Sequence, residues 1–203
     1  MVIVNFDKIF VFTDIDLDGV GSLLTLHWAL GAKPGQIAYK ATTVSNFRRE
    51  FLTWLEHNSA DSFDKIFFLD LDISNSADLV DRENSIIIDH HLTHVKVKDI
   101  YKKAKVSVTE TSSCTKLIYN IFKDTLKITS EQKYFIALAN DYDSYEFKLN
   151  ETYSLNSLFT NTQKTFELSR TGIFLEKYYN GFKPFTVQEN NIIKAHIAKR
   201  DKT

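Results

Sequence analysis

Three aspartates occupy alternate positions in the segment TDIDLDGVG, which follows the first apolar run of the chain. They are Asp14, Asp16 and Asp18, and Gly19 comes directly after them. Carboxylates this close together repel one another unless a cation lies among them, and hard divalent cations prefer oxygen ligands of this kind. The spacing therefore predicts a cation site. It leaves open whether the cation serves structure, calcium sensing or catalysis.

Two known uses of such a segment fit the remaining residues poorly. In a calcium-binding EF-hand loop, position 12 supplies a bidentate carboxylate, but that position is Thr25 here. The residues before Asp14 also have the pattern of a strand, whereas an EF-hand needs a helix there. An aspartyl phosphatase, with Asp14 or Asp16 as its nucleophile, is a second alternative, but it assigns no role to the next motif.

That motif is Asp89-His90-His91, in the segment IIIDHHLTH. Neutral imidazole is the commonest nitrogen ligand of transition metals, and a nearby carboxylate fixes its tautomer. Successive residues at a strand end point in different directions, so one histidine can bind a metal while the other faces a substrate. Two further aspartates follow apolar stretches, Asp70 in FFLDLDIS and Asp141 in LANDYDSY, and both are candidate ligands.

The elements that must position these residues show as short apolar runs that alternate with helical patterns. Strands are predicted at 8–13, 36–42, 65–69, 85–88 and 105–109, and helices at 20–30, 47–57, 112–122 and 130–139, with further helical segments near 165–180 and 186–200. Strands that are apolar on both faces indicate a parallel sheet covered on both sides. The predicted fold class is α/β: a parallel five-stranded sheet flanked by helices, with a short, mostly helical C-terminal tail. Ligands bind at the carboxyl ends of such strands, where these acidic segments would meet.

Taken in order, the four segments resemble the DHH phosphoesterase superfamily, in particular its RecJ, oligoribonuclease and cyclic-nucleotide-phosphodiesterase-like branch. The resemblance implies two divalent ions, manganese first and magnesium as the alternative. The metal ligands expected on this basis are Asp14, Asp16, Asp18, Asp70, His90 and Asp141. Of the remaining motif residues, His91 is expected to stabilise charge on a phosphate oxygen and Asp89 to orient an imidazole. Many relatives have a histidine where this chain has Phe12.

The resemblance also carries expectations about domains and activity. Residues 1–145 are expected to form the catalytic domain and 146–203 a helical appendage. Typical relatives have a second domain with a glycine-rich substrate motif, which is expected to be reduced or absent here. The expected function is hydrolysis of phosphodiester bonds in short oligonucleotides or single-stranded ends by a water activated between two metals. The alternatives are a phosphatase acting on nucleotide monoesters, cyclic nucleotides or pyrophosphate, and a catalytically silent metal- or nucleotide-binding partner protein.

Charge and composition favour a small substrate over a long duplex. The net charge of the 203 residues is −1, and residues 1–95 carry 7 Lys/Arg against 14 Asp/Glu, so there is no large basic excess. Aromatic and cationic side chains of the tail are candidates for holding a single strand: Lys164, Arg170, Lys177, Lys183, Phe166, Phe174, Tyr178, Tyr179, Phe182 and Phe185.

The location and assembly of the protein are predicted from features that the chain lacks. Its single cysteine, Cys114, cannot form an internal disulfide, and no apolar run reaches the roughly 18 residues of a membrane span. The first residues do not have the pattern of a secretion signal. We therefore expect a cytoplasmic protein, and the short tail leaves room for a homodimer that completes the cleft.

Overall fold

Five parallel strands form one sheet at the centre of the molecule. The structure, a computed structural model, describes residues 8–163 and 169–200. The strands are β1 (Ile9–Thr13), β2 (Ala38–Ala41), β3 (Lys65–Leu69), β4 (Ser85–Asp89) and β5 (Lys105–Val108). Their order in the sheet is β2–β1–β3–β4–β5, and every neighbouring pair is parallel. The predicted α/β class and five-stranded parallel sheet are confirmed.

Helices cover the sheet and continue into the C-terminal part. Those described are α1 (Leu17–Leu30), α2 (Val44–His57), α3 (Ala77–Val80), α4 (Leu92–Val95), α5 (Cys114–Phe122), α6 (Ser130–Asp143), α7 (Thr152–Asn161), α8 (Arg170–Tyr178) and α9 (Val187–Arg200). Two differences from the predicted helices matter for the site: α1 begins three residues earlier than expected, and α6 continues four residues further. Helix α7 was not predicted. In the described residues, no helix combines the length and the apolar character that a membrane span requires.

The two faces of the sheet bury different side chains because alternate residues of a strand point to opposite sides. Val11 faces the layer that contains α1, α5 and α6. Its neighbour Phe12 faces the opposite layer, where its ring stacks on Phe68 at 5.7 Å and meets Phe51 edge-on at 5.3 Å. Phe12 is therefore a core residue, and it offers no ligand at the position where many relatives have a histidine.

The C-terminal helices share the core of the sheet layer that contains α1. Phe174 and Tyr178 are buried in that core, and the Trp28 indole donates a 2.7 Å hydrogen bond to the carbonyl of Tyr179. The rings of Phe174 and Tyr178 are buried, so a nucleobase cannot stack on them. For these two residues the expectation that tail aromatics hold a single strand is wrong. Lys164 and Phe166 lie outside the described residues. The division into 1–145 and 146–203 stays a prediction.

Candidate metal centre

Acidic side chains from separate segments meet at the carboxyl edge of the sheet. The ends of β1, β3 and β4 are adjacent there, since Thr13 pairs with Leu69 and Leu69 with Ile88. His90, which follows β4, lies at the centre of the group. Its Nε2 atom is 3.6 Å from Asp18 Oδ2, 3.3 Å from Asp70 Oδ1 and 3.4 Å from Asp143 Oδ2.

The orientation of the His90 ring is that of a metal ligand. Its Nδ1 atom lies 3.1 Å from the carbonyl oxygen of Thr111 and donates to it. A neutral imidazole that donates from Nδ1 carries a lone pair on Nε2. That lone pair faces three carboxylates, an arrangement that repels unless a cation or protons lie among them.

Asp70 shows most directly that this group fits a cation. Its carboxylate is buried, and Oδ1 has no hydrogen-bond partner within the described residues. Desolvation, followed by the neighbouring charges of Asp18 and Asp16, raises the pKa of Asp70 well above its usual range. The backbone is left-handed here, with φ of 57°. A strained backbone that holds an unpartnered buried carboxylate is typical of a ligand site.

The first turn of α1 holds the aspartates that follow β1. Asp16 caps this helix and accepts the N–H of Gly19 at 2.8 Å. Asp18 is buried and accepts the N–H groups of Cys114 and Thr115 at the start of α5, at 2.7 and 3.0 Å. These bonds tie α1 to α5 and fix the Asp18 carboxylate beside His90.

The glycine after these aspartates is required by a close approach of the backbone. A Cβ at Gly19 would lie 2.3 Å from the carbonyl oxygen of Asp14, far inside the contact distance of any side chain. The tight turn from β1 into α1 therefore depends on Gly19. It places Asp14, Asp16 and Asp18 at the same edge of the sheet.

Burial, and then mutual proximity, raise the pKa of several carboxyl groups at this edge. Desolvation and the charge of Asp16 raise the pKa of Asp14 to about 6. Desolvation and the charges of Asp18 and Asp16 raise that of Asp143 to about 8. Asp16 is also raised, by desolvation and by Asp18. Such a group holds extra protons when no cation is bound, and a divalent cation would displace them.

Two overlapping sets of residues offer ligand atoms within 4.8 Å of one another. One is Asp70, His90 and His91, and the other is Asp18, His90 and Asp143. Carboxylate oxygens with imidazole nitrogen, and no thiolate, suit manganese and related divalent metals. The donor set therefore fits the divalent cations that the sequence predicts.

Asp141 is not among the residues that meet at His90. Its carboxylate accepts the N–H groups of Lys148 and Leu149, each at 3.0 Å, and the Thr152 hydroxyl at 2.5 Å. Desolvation acts to raise its pKa, but these hydrogen bonds lower it below the usual value. Residues two apart on a helix point in directions about 200° apart, so Asp143 turns towards His90 while Asp141 anchors the loop after α6.

A buried Asp–His pair supports the remaining histidine of the motif. Asp89 accepts hydrogen bonds from Nδ1 of His91 and Nδ1 of His94, both at 2.7 Å. Burial alone would raise the pKa of Asp89, yet these two bonds hold it below its usual range. The hydrogen bond that His91 donates to Asp89 also raises the pKa of His91 to about 9. This shift favours the protonated form of His91, which donates from both ring nitrogens.

Two residues outside the DHH motif, His94 and Tyr101, complete this chain of hydrogen bonds. His94 is fully buried, and its Nε2 lies 2.8 Å from the hydroxyl of Tyr101. The available signal was the spacing: His94 follows Asp89 by five residues and returns to it through the short helix α4.

Comparison with known proteins decides the family. The chain matches the DHH family, N-terminal domain, over residues 8–142. The chain belongs to the DHH family. The resemblance that the sequence predicts is thereby confirmed, and it supports a metal-dependent phosphoesterase. None of the curated proteins matches the chain.

Solved structures also align with this chain. An uncharacterized protein from Helicobacter pylori G27 aligns with a TM-score of 0.56 and 17% identity, covering 94% of this chain and 62% of that one. Exonuclease RecJ bound to manganese aligns with a TM-score of 0.42 and 14% identity, covering 84% of this chain and 50% of that one. CDC45 from Entamoeba histolytica aligns with a TM-score of 0.35 and 17% identity, covering 96% of this chain and 34% of that one. The chain thus spans less than two thirds of each of these proteins.

Within the DHH motif of this chain, the three residues have three different surroundings. Asp89 is buried and bonded to two histidines. His90 faces the carboxylates of Asp18, Asp70 and Asp143, and 41% of the His91 side chain is exposed. Alternation along the extended chain places His90 on the side opposite to Asp89 and His91, which are bonded to each other.

Proposed function

We propose that the chain is a divalent-metal-dependent phosphodiesterase that hydrolyses short oligonucleotides or the ends of single strands. The observation that supports this most strongly is the convergence on His90 Nε2 of Asp18, Asp70 and Asp143, which come from three separate segments. Membership of the DHH family supports the same class of chemistry.

The residues that would hold the cations are those of the carboxylate cluster: Asp14, Asp16, Asp18, Asp70, His90 and Asp143. In this proposal Asp143 takes the ligand role that the sequence pattern assigned to Asp141. Manganese is the proposed metal because the ligands mix oxygen with imidazole. Such ions, when bound, neutralise the phosphate oxygens of a substrate and lower the pKa of a coordinated water.

The chain's own residues would complete the site on the side of the substrate. His91 is held by Asp89 and is 41% exposed, and in its protonated form it has a second N–H besides the one bonded to Asp89. In the proposal it donates to a phosphate oxygen, which stabilises the negative charge that develops there. His94 keeps Asp89 oriented and thereby positions His91. A role for His91 in completing the metal set is the alternative assignment, since it also lies near Asp70 and His90.

The experiment is a manganese-supplemented screen of short RNA, short DNA, cyclic nucleotides, mononucleotides and pyrophosphate, with the products sized. We expect turnover of the short oligonucleotides, and its loss in Asp70→Asn and His90→Ala. Asparagine tolerates the left-handed backbone at position 70, so the first variant keeps the fold. Asp78→Asn is the matched control, because Asp78 is exposed and pairs with Arg48 on the surface.

Each other result has a defined meaning. Turnover of monoesters or pyrophosphate alone would replace the proposal by the phosphatase alternative. Manganese binding with no turnover of any substrate would replace it by the silent binding protein. Activity that survives in Asp70→Asn would reject the carboxylate cluster as the reacting site. The homodimer and the cytoplasmic location stay predictions.

A further inference from the structure

Four aromatic side chains cluster directly beside Asp143. They are Tyr142, Tyr145, Phe147 and Tyr153, which we call the aromatic platform. Ring centroids lie 6.4 Å apart for Tyr142 and Tyr145, 5.7 Å for Tyr142 and Phe147, 6.0 Å for Tyr145 and Phe147, and 6.1 Å for Phe147 and Tyr153. Unlike the tail aromatics, two of them reach solvent: Tyr145 is 76% exposed and Phe147 is 43% exposed.

The platform borders the carboxylate cluster. Tyr142 immediately precedes Asp143 on the last turn of α6. Tyr145 follows Asp143 by two residues, so their Cα atoms are at most about 7 Å apart. A molecule with a phosphate at the cluster can therefore reach the exposed rings.

The backbone holds these rings in a conformation that aromatic residues disfavour. Tyr145 has φ of 56° and Phe147 has φ of 49°, in the left-handed region that suits glycine or asparagine. Asp141 maintains this conformation: its carbonyl accepts the N–H of Glu146 at 3.2 Å, and its carboxylate accepts that of Lys148 at 3.0 Å. Folding gains little from an exposed ring held in a strained position, so such residues point to a ligand.

We propose that the aromatic platform stacks on the nucleobase of the nucleotide whose phosphate lies at the carboxylate cluster. This inference rests on the proposed function and adds the recognition of the base to it. An aromatic ring binds the flat face of any base, so the platform would select nucleotides over other phosphates without selecting a sequence. Tyr145 and Phe147 supply the exposed faces, and Asp141 positions them.

The first test places a fluorescent reporter on the platform. In the Tyr145→Trp protein we expect the added indole to be quenched by adenosine 5′-monophosphate in the presence of Mn²⁺. Ribose 5-phosphate, which keeps the phosphate and lacks the base, should leave the signal unchanged. Trp28 and Trp54 are each only 7% exposed and contribute a constant background. No quenching by the nucleotide, or equal responses to both compounds, would overturn the inference.

The second test separates recognition from stability. Tyr145→Gly and Tyr145→Ala should weaken binding of adenosine 5′-monophosphate by about tenfold, the effect of losing one stacking contact. Tyr145→Gly should not lower the melting temperature, because glycine accepts the left-handed backbone. Ile121→Ala, at a residue of α5 that is 43% exposed like Phe147, should bind as the wild type does.

The remaining outcomes distinguish this inference from the proposed function. Base-dependent quenching in a protein with no turnover would support the platform and reject the hydrolase. Turnover without base-dependent quenching would reject the platform and leave the hydrolase in place. Unchanged nucleotide affinity in Tyr145→Ala, together with an altered oligomeric state, would make the rings a protein interface and overturn the inference.

Discussion

The carboxylate of Asp143 lies 3.4 Å from Nε2 of His90, whereas that of Asp141, two residues earlier, is bonded to the backbone of Lys148 and Leu149. One acidic motif at the end of α6 thus has two separate tasks. Asp143 joins the carboxylate cluster, and Asp141 shapes the loop that carries Tyr145 and Phe147.

The matched variants Asp143→Asn and Asp141→Asn should therefore fail differently. Asp143→Asn should lose most of its Mn²⁺ affinity and keep the wild-type melting temperature in EDTA. Asp141→Asn should keep Mn²⁺ binding but lose about 2 kcal/mol of stability, because a charged acceptor of buried hydrogen bonds is removed; for a chain of this size this lowers melting by about 4–8 °C. Melting curves and calorimetric titration measure both. The reverse pattern would return the ligand role to Asp141.

Addition of Mn²⁺ should stabilise the wild-type protein, because the cation relieves repulsion among Asp18, Asp70 and Asp143. A metal at about 100 times its dissociation constant adds about 2.7 kcal/mol to the free energy of unfolding. EDTA should reverse the increase. In Asp70→Asn we expect no increase with Mn²⁺, and melting in EDTA no lower than wild type, since the raised pKa of Asp70 already favours its neutral form without a cation. An equal Mn²⁺ response in both proteins would contradict the cluster.

Replacement of Gly19 should disrupt the turn that positions the aspartates. Alanine in a helix usually gains about 1 kcal/mol over glycine, but here its Cβ would lie 2.3 Å from the Asp14 carbonyl oxygen. We expect Gly19→Ala to lower the free energy of unfolding by about 1–3 kcal/mol and to weaken Mn²⁺ binding. Urea unfolding and metal titration measure the two effects. A stabilised variant would show that the turn relaxes freely.

His27 should make stability depend on pH at a position remote from the metal ligands in sequence. Its ring is fully buried, with Nδ1 3.2 Å from the Ala32 carbonyl oxygen, and Nε2 has no hydrogen-bond partner in the described part of the chain. Burial lowers the pKa of His27 in the folded protein, whereas a histidine in the unfolded chain has a pKa of about 6.5. The unfolded chain therefore binds the proton first. The contribution of the neutral His27 ring to the free energy of unfolding is complete above about pH 6.5. It is lost as the pH falls towards the lower pKa that His27 has in the folded protein.

The comparison is urea unfolding of the wild type and of His27→Gln at pH 7.5 and 5.5. Glutamine keeps a donor for the Ala32 carbonyl and has no titrating proton. We expect the wild type to lose more free energy of unfolding between the two values. Identical losses would mean that the His27 ring accepts its proton within the fold.

The residue pattern is enough to predict the sheet and most of the residues at its carboxyl edge. Strands β3 and β4 are apolar on both faces and end at Asp70 and Asp89, so their place inside a parallel sheet follows from the residue pattern. The carboxyl ends of parallel strands lie at one edge of the sheet, so Asp18, Asp70 and His90 are expected to lie close together there. This expectation follows from the strand order along the chain alone, because all parallel strands run in one direction.

Which of the side chains at the end of α6 faces the cluster depends on contacts in the folded chain. That choice depends on the residue at which the helix ends and on the partners that the loop offers, here Lys148, Leu149 and Thr152 for Asp141. Both are set by contacts distant in the sequence, including the packing of the unpredicted helix α7. A local pattern shows that two aspartates lie near a helix terminus, but side-chain direction changes by about 100° per residue, so the pattern does not show which of the two faces the sheet edge.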